Sequence, residues 1–359
     1  MNKKIFIFYP YINSFGGIEK LICELGKYNK INLICYSDYI NLSKYNNKIK
    51  IIKLNPKNYL DKILLLKKLF KNKLFKGLPL MWGYKAAFFA YLSNIKFYAV
   101  FIDDPISLLT KSKKIYSYNF LKKLRTYIAN YIQHLSINYA SKRITLTKRN
   151  SIELFKTFNC KFNYFYPGVS FKQSLKIKKS QQQINILSIS RLEKNKKIDW
   201  ILKSIYDLKK TDLNIYKKIN LSIVGVGKDR ARLEKICKNF FINEKVFFHG
   251  FVSEKKKIDL LKKSNIFLIP AKQGYGIPAL EALKYNNKLI INKESRICEI
   301  LTEGDLIKIS KNNYKSFFKK FKITLLLKKS NKNFNYKLSN LPNSINWSKN
   351  ISNFCGWNK

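Results

Sequence analysis

The sequence predicts an α/β protein of two doubly wound domains, each a parallel sheet with helices on both faces. Three observations predict it. Short apolar runs of strand length alternate with helical patterns along the whole chain. Glycine turns follow several of those runs and open the next helix. The chain has 359 residues, more than one ordinary core organises and suited to two domains of about 150–190 residues. Ligands of open parallel sheets bind outside the carboxyl ends of the strands, so two facing sheets are expected to make a cleft.

The elements follow in order. Lys4–Tyr9 reads as the first strand. The start MNKKIFIFYPYI imitates a leader peptide, but its apolar stretch is short and no small-residue cleavage site follows. Phe15-Gly16-Gly17-Ile18-Glu19-Lys20 then turns into a helix through Leu21, Leu25 and Tyr28. On their own Gly16 and Gly17 fit a tight strand-to-helix turn with φ > 0. Tyr59–Lys76 reads as a helix with Leu60, Ile63, Leu64, Phe70, Leu74 and Phe75 among many lysines. Those lysines are not confined to one face, so it faces a membrane or packs, solvated, on the sheet. No apolar run approaches the roughly 20 residues that span a bilayer. Ala99–Ile102 is a strand running into Asp103-Asp104-Pro105, and Asn119–Ala140 is a helical stretch containing His134. Residues 171–183 are polar and lack apolar periodicity, the pattern of an interdomain linker.

Beyond the linker, Ile184–Ile189 is a strand that leads into Ser190-Arg191-Leu192-Glu193-Lys194-Asn195-Lys196-Lys197. Leu221–Val224 leads into Gly225-Val226-Gly227-Lys228-Asp229-Arg230 and a helix with Leu233 and Ile236. Ile266–Ile269 is a buried strand. Gly274 and Gly276 form a turn after it, and Pro278 takes the first position of a helix carrying Ala279, Leu280, Glu281 and Ala282. Such a helix start presents backbone N–H groups and a positive dipole, which suit a phosphate or a polar sugar. Glu281 lies about one turn further on, where a carboxylate can accept from a pair of hydroxyls.

These segments resemble the retaining glycosyltransferases of family 4, which have the GT-B fold of two Rossmann-like domains facing across a cleft. The family's donor signature is a Glu, then G-F-G-x-P, then a second Glu eight positions after the first. Gly274-Tyr275-Gly276-Ile277-Pro278 and Glu281 match it, while Gln273 stands at the first acidic position. The Ser190–Lys197 segment is similar to the family's G-R-L-x-x-x-K-G, with Arg191 and Lys196 as the matching cations and Ser190 and Lys197 in place of glycines. Gly225-Val226-Gly227 resembles the family's second glycine turn, and Gly16-Gly17-Ile18-Glu19 its G-G-x-E entry to the first domain. Tyr166-Pro167-Gly168-Val169 looks like the end of that domain, and Phe247–Phe251 like the strand and Gly ahead of the donor site. Glu299 looks like the Glu a few turns after it. Asn346-Trp347 resembles the start of a terminal helix that crosses back onto the first domain, which makes Trp347 a packing residue.

The resemblance implies an acceptor-side domain over 1–170, completed by about 345–359, and a donor-binding domain over 184–340. It implies sugar transfer with retention from a UDP- or GDP-linked donor, with no metal and no cofactor. Arg191 and Lys196 would hold the leaving diphosphate, since charge-assisted hydrogen bonds contribute roughly 1.5–3 kcal/mol each. Glu281 would hold the ribose. Backbone at Gly16, Gly17, Gly225 and Gly274–Pro278 would approach the donor, and Gln273 would face the sugar with hydrogen-bonding reach but no charge. Where many members have a His after a first-domain strand, this chain has Asp103 and Asp104, which bind sugar or acceptor hydroxyls or else cap a turn before Pro105. The implied acceptor is lipid-linked or a saccharide, and the implied setting is bacterial surface polysaccharide or lipopolysaccharide assembly at the inner face of the cytoplasmic membrane.

Composition tempers other readings. The net charge is +50, which attracts an anionic membrane surface. Lys, Asn, Ile, Phe and Tyr are all abundant, as in an A/T-rich coding sequence, and no nucleic-acid module appears, so a specific nucleic-acid partner is not expected. The six cysteines lack metal spacing and read as reduced core thiols in a cytosolic protein. His134 and His249 are the chain's two histidines and read as structural. Two rivals stay open: a GT-B donor-binding protein with weakened or lost transfer, favoured by Gln273, and a basic scaffold for nucleic acid or membrane, favoured by charge.

Overall fold

The computed structural model describes residues 4–13, 15–71, 75–103, 120–170, 182–327 and 341–358, and the elements named below are those among them. The chain divides into two compact units, Met1–Gly168 with Pro342–Lys359, and Val169–Leu341.

The first unit contains strands β1 (Ile5–Phe8), β2 (Tyr11–Ile12), β3 (Ile31–Cys35), β4 (Ser37–Asp38), β5 (Ile49–Lys53), β6 (Leu80–Trp82), β7 (Ala99–Ile102), β8 (Lys142–Thr145) and β9 (Asn163–Tyr164). Its helices are α1 (Gly17–Tyr28), α2 (Tyr59–Lys71), α3 (Tyr84–Leu92), α4 (Phe120–Tyr139) and α5 (Lys148–Phe158). The main sheet is parallel, in the order β5-β3-β1-β6-β7-β8-β9. Strand order reverses between β1 and β6. All four residues of β1 and of β7 are buried, as strands covered on both faces require. Thr147 caps α5 by accepting from the Asn150 backbone N–H at 3.1 Å.

The second unit contains β10 (Ile184–Ile189), β11 (Ile219–Val224), β12 (Val246–Gly250), β13 (Ile266–Ile269), β14 (Lys288–Asn292) and β15 (Ile307–Ser310). Between them run α6 (Ile198–Thr211), α7 (Leu213–Lys218), α8 (Arg230–Asn239), α9 (Glu254–Lys263) and α10 (Ile277–Lys284), with α11 (Tyr314–Leu326) following β15. The sheet is parallel, in the order β12-β11-β10-β13-β14-β15, and reverses between β10 and β13. Its core joins Ile186, Ile205, Leu221, Leu233, Leu268 and Ile290 to Phe317 and Phe321.

The last helix, α12 (Ser344–Cys355), belongs to the first unit. Trp347 is 2% exposed and its indole N–H donates to the Phe165 carbonyl at 3.1 Å. Trp357 donates in the same way to Leu78 at 2.8 Å. Gly168 meets the chain's return: a Cβ there would lie 1.8 Å from the Pro342 carbonyl oxygen.

Three expectations need correction. The helix expected over Tyr59–Lys76 is described over Tyr59–Lys71 and does not reach Phe75, which pairs with Lys4 in a parallel bridge and packs 5.4 Å from Phe6 and 5.2 Å from Phe70. Leu74 lies outside the described residues. Pro278 is the second helical residue, after Ile277, since the left-handed Gly276 is the N-cap. Gly16 has φ −137° and Gly17 is not among the positive-φ residues, so that turn does not need glycine for its backbone angles. Asn119, Asp104 and residues 171–181 of the expected linker lie outside the described residues. Among the described residues no helix is long and apolar enough to cross a membrane.

Candidate active site

In the second unit the loops after β10, β11, β13 and β14 gather at the carboxyl end of the sheet. Two of them interlock by backbone. Ser190 N–H donates to Val224 at 3.0 Å, Leu192 N–H to Val226 at 2.9 Å, and Asp229 N–H back to Leu192 at 3.0 Å. At its two glycines this zipper has no room for side chains. Gly225 has φ +138° and a Cβ there would sit 1.8 Å from the Ser190 carbonyl oxygen, while one at Gly227 would sit 2.1 Å from that of Leu192. Glycine is therefore demanded here by steric contact.

The loop after β13 is strapped from the other side. Gln273 N–H donates to Ser295 Oγ at 3.1 Å, and Ile297 N–H donates to the Tyr275 carbonyl at 3.2 Å. Tyr275 and Arg296 are buried beneath it. Asn292 ties its start, donating to the Pro270 carbonyl at 2.9 Å. So held, Gly274–Gly276 delivers the chain into α10 at a fixed angle, with Gly276 in the left-handed region at φ +103°.

Across the point where strand order reverses, the loops meet through side chains. Lys196 Nζ donates to Gln273 Oε1 at 3.1 Å. Lys196 belongs to the loop after β10 and Gln273 to the loop after β13, the strands that flank the reversal. Open parallel sheets place ligands at this crevice. Glu281 is buried on α10 and pairs with Lys257 of α9 at 3.1 Å, and Lys257 also reaches Glu254 at 2.8 Å. Arg191 is not drawn into this group; it stands 72% exposed and pairs with Glu193 at 2.9 Å. Beside the zipper, Arg232 grips Asp229 with two bonds of 2.7 Å and lowers its carboxyl pKa. Glu299 lies in the single turn Arg296–Glu299. Burial pushes the Cys298 thiol in that turn up to about 11.

In the first unit Gly16 caps α1, and its N–H donates to Glu19 Oε2 at 2.9 Å. Tyr9 donates to Glu19 Oε1 at 3.1 Å. Glu19 is 6% exposed, and burial raises its pKa against the hydrogen bonds that lower it. Gly17 begins the helix with open space where a Cβ would stand. Asp103 follows β7, and its carbonyl accepts from Asn150 Nδ2 at 2.8 Å. Asp104 lies outside the described residues.

Lys257, Ser295 and Arg296 are structural partners of these loops that the sequence did not single out. Spacing does not connect any of them to positions 273–281. His249 bonds Ser222 Oγ at 3.0 Å, and the His134 ring packs 5.2 Å from Phe158.

Two reversal-point sheets with a glycine turn opening α10 have the architecture of a GT-B protein. Residues 170–340, nearly all of the second unit, match the family described as Glycosyl transferases group 1. A glycosyltransferase of Methanocaldococcus jannaschii is 30% identical over 138 residues, covering 38% of this chain and 34% of that protein. A second from the same organism is 24% identical over 189 residues, so the chain spans less than half the length of either. A protein from the cps region of Klebsiella pneumoniae is 28% identical over 125 residues, covering 34% of this chain and 32% of that protein. Among solved structures, the lipopolysaccharide outer core galactosyltransferase WaaB superposes with a TM-score of 0.70 at 14% identity, over 98% of both chains. Anabaena HepE in complex with UDP and glucose superposes with a TM-score of 0.73 at 12% identity, over 98% of this chain and 99% of that one. These superpositions speak for the fold.

Proposed function

We propose that the protein transfers a sugar, hexosyl or N-acetylhexosaminyl, from a UDP- or GDP-linked donor to a lipid-linked or saccharide acceptor. Transfer retains configuration, uses no metal, and serves bacterial surface polysaccharide or lipopolysaccharide assembly. The observation that carries this reading is the 3.1 Å contact between Lys196 and Gln273 across the reversal point of a group 1 glycosyltransferase domain. A cation and a sugar-facing amide there suit a diphosphate leaving group and the sugar attached to it. The buried Glu281, one turn into α10, has a carboxylate for the ribose hydroxyls.

In the reaction the bond between the sugar's anomeric carbon and the phosphate oxygen breaks. The acceptor oxygen bonds to that carbon on the same face, and its proton passes to the departing phosphate oxygen. The protein's share is positioning and charge stabilisation. Lys196 and Arg191 steady the developing negative charge on the diphosphate. The glycine backbone at Gly274 and Gly276 lets phosphate or sugar approach the start of α10. Gly16 and Gly17, exposed at the start of α1, are the first unit's candidates for backbone contact with the donor, and Asp103 and Asp104 are its candidates for sugar or acceptor hydroxyls. The names of the relatives support the setting, since WaaB and WaaG are lipopolysaccharide enzymes and HepE was solved with UDP-glucose.

One observation favours a second reading. Gln273 puts a neutral amide where the family has a carboxylate, so the domain would bind its donor with weakened or lost transfer. Melting curves with UDP, GDP, ADP and tripolyphosphate, on wild type and Glu281→Ala, test the site. A ligand at 100-fold its Kd stabilises by about 2.7 kcal/mol. A shift for one nucleotide that Glu281→Ala abolishes is expected; equal shifts for every polyanion in both proteins would overturn the donor site. Turnover of Gln273→Glu then separates the two readings. A rise is expected if the amide is a weakened catalytic group, and a fall would mean that the amide selects the sugar.

A further inference from the structure

Helix α4 (Phe120–Tyr139) carries an apolar face that stands exposed. Phe120, Leu121, Leu124, Tyr127, Ile128 and Tyr131 are each 47–78% exposed. At 100° per residue they share one arc of about 120°. The helix is anchored by the opposite side of its last turns, where Ser136 and Ile137 are buried. Its first three turns therefore hold out a continuous stripe of large apolar side chains. Such a patch marks an interaction surface.

Charge identifies what it meets. Lys123 and Arg125 flank the stripe, each about 40° beyond one edge by helical geometry. The helix contains Lys122, Lys123 and Arg125 and no acidic residue, in a chain of net charge +50. A second copy of the chain would set these cations against their own kind. An anionic lipid surface offers the complement: acyl chains for the aromatic and aliphatic stripe, headgroup charge for the cations beside it. That is the pattern of a helix lying in a membrane interface. On α2, the helix that sequence pointed to, the exposed apolar side chains are Tyr59, Leu60 and Leu64 near its start, beside the acidic Asp61, while Leu66 and Phe70 further on are buried in the core.

We propose that α4 docks the first unit on an anionic bilayer, with Phe120, Leu124, Tyr127 and Tyr131 entering the interface. This rests on the first unit alone and stands independently of the transfer reaction. Co-sedimentation with phosphatidylcholine vesicles, with and without phosphatidylglycerol, tests it on three proteins: wild type, Leu124→Asp/Ile128→Asp and Lys123→Glu/Arg125→Glu. All substituted positions are outside the core, and melting temperature and circular dichroism verify folding. Wild type is expected to bind the anionic vesicles at physiological salt. The Asp pair is expected to lower the partition coefficient at least tenfold, and the charge-reversed pair by about fivefold or more per cation. Equal binding by wild type and the Asp pair would overturn the proposal, because unlocalised charge would then suffice. So would absence of binding by wild type. Light scattering supplies a further arm: a wild-type dimer that the Asp pair converts to monomer, with vesicle binding unchanged, would assign the stripe to a second copy and overturn the membrane reading. A milder Leu124→Ser/Ile128→Ser pair is measured alongside. If the Asp pair fails to fold, the Ser pair takes its place, with weaker vesicle binding expected and binding equal to wild type overturning the proposal.

Discussion

At the scale of single residues, the site rests on how two cations are held. Lys196 is held across the reversal point by Gln273, whereas Arg191 stands exposed beside Glu193. Lys196 is therefore already placed, and Arg191 must leave its carboxylate to meet a diphosphate. Lys196→Ala or Arg191→Ala is expected to lower kcat by on the order of 10²–10³, measured with the donor that the melting curves select. Near-normal turnover in both variants would remove the leaving-group role. Lys196, Gln273 and Glu281 could be named from sequence because the glycines and proline around them set a recognisable spacing. Lys257 could not. It stands among four consecutive charged residues of a Lys-rich helix, and only the packing of α9 against α10 reveals that it pairs with Glu281.

At the scale of elements, two glycines that look alike in sequence do different work. Gly225 is fixed by the zipper between the β10 and β11 loops, where its φ of +138° and the Ser190 carbonyl exclude a side chain. Gly225→Ala is expected to destabilise the second unit by about 1–3 kcal/mol or more, read from chemical denaturation. Gly17 has neither constraint, with open space at its Cβ position. Gly17→Ala is expected to leave the melting temperature unchanged and to weaken nucleotide-sugar binding in calorimetry. A normal affinity would mean that Gly17 serves the helix start alone. Element ends were the least legible part of the sequence. The helix read over Tyr59–Lys76 kept helical periodicity through Phe75, and the aromatic packing of Phe75 on Phe6 and Phe70 with its bridge to Lys4 took that residue out of it.

At the scale of the whole molecule, the chain's two ends build one unit. Trp347 and Trp357 are buried against the first unit and bond its Phe165 and Leu78 carbonyls, and Asn29 of that unit donates to Ser352 Oγ at 3.1 Å. Truncation after Leu341 is expected to leave the first unit without its cooperative melt while the second still unfolds cooperatively, a difference that calorimetry resolves. Retention of both transitions would show that α12 is dispensable. By itself the sequence determined the fold class, the parallel sheets and the glycine turns after particular strands. Those depend on apolar period and on backbone freedom, which are local properties of the chain. The tertiary structure decided which loops share a reversal point, which cation meets Gln273, that Phe75 leaves the helical pattern, and which helix holds an exposed apolar face outward. Each of these depends on contacts between residues far apart in the chain, and periodicity and spacing carry no record of them.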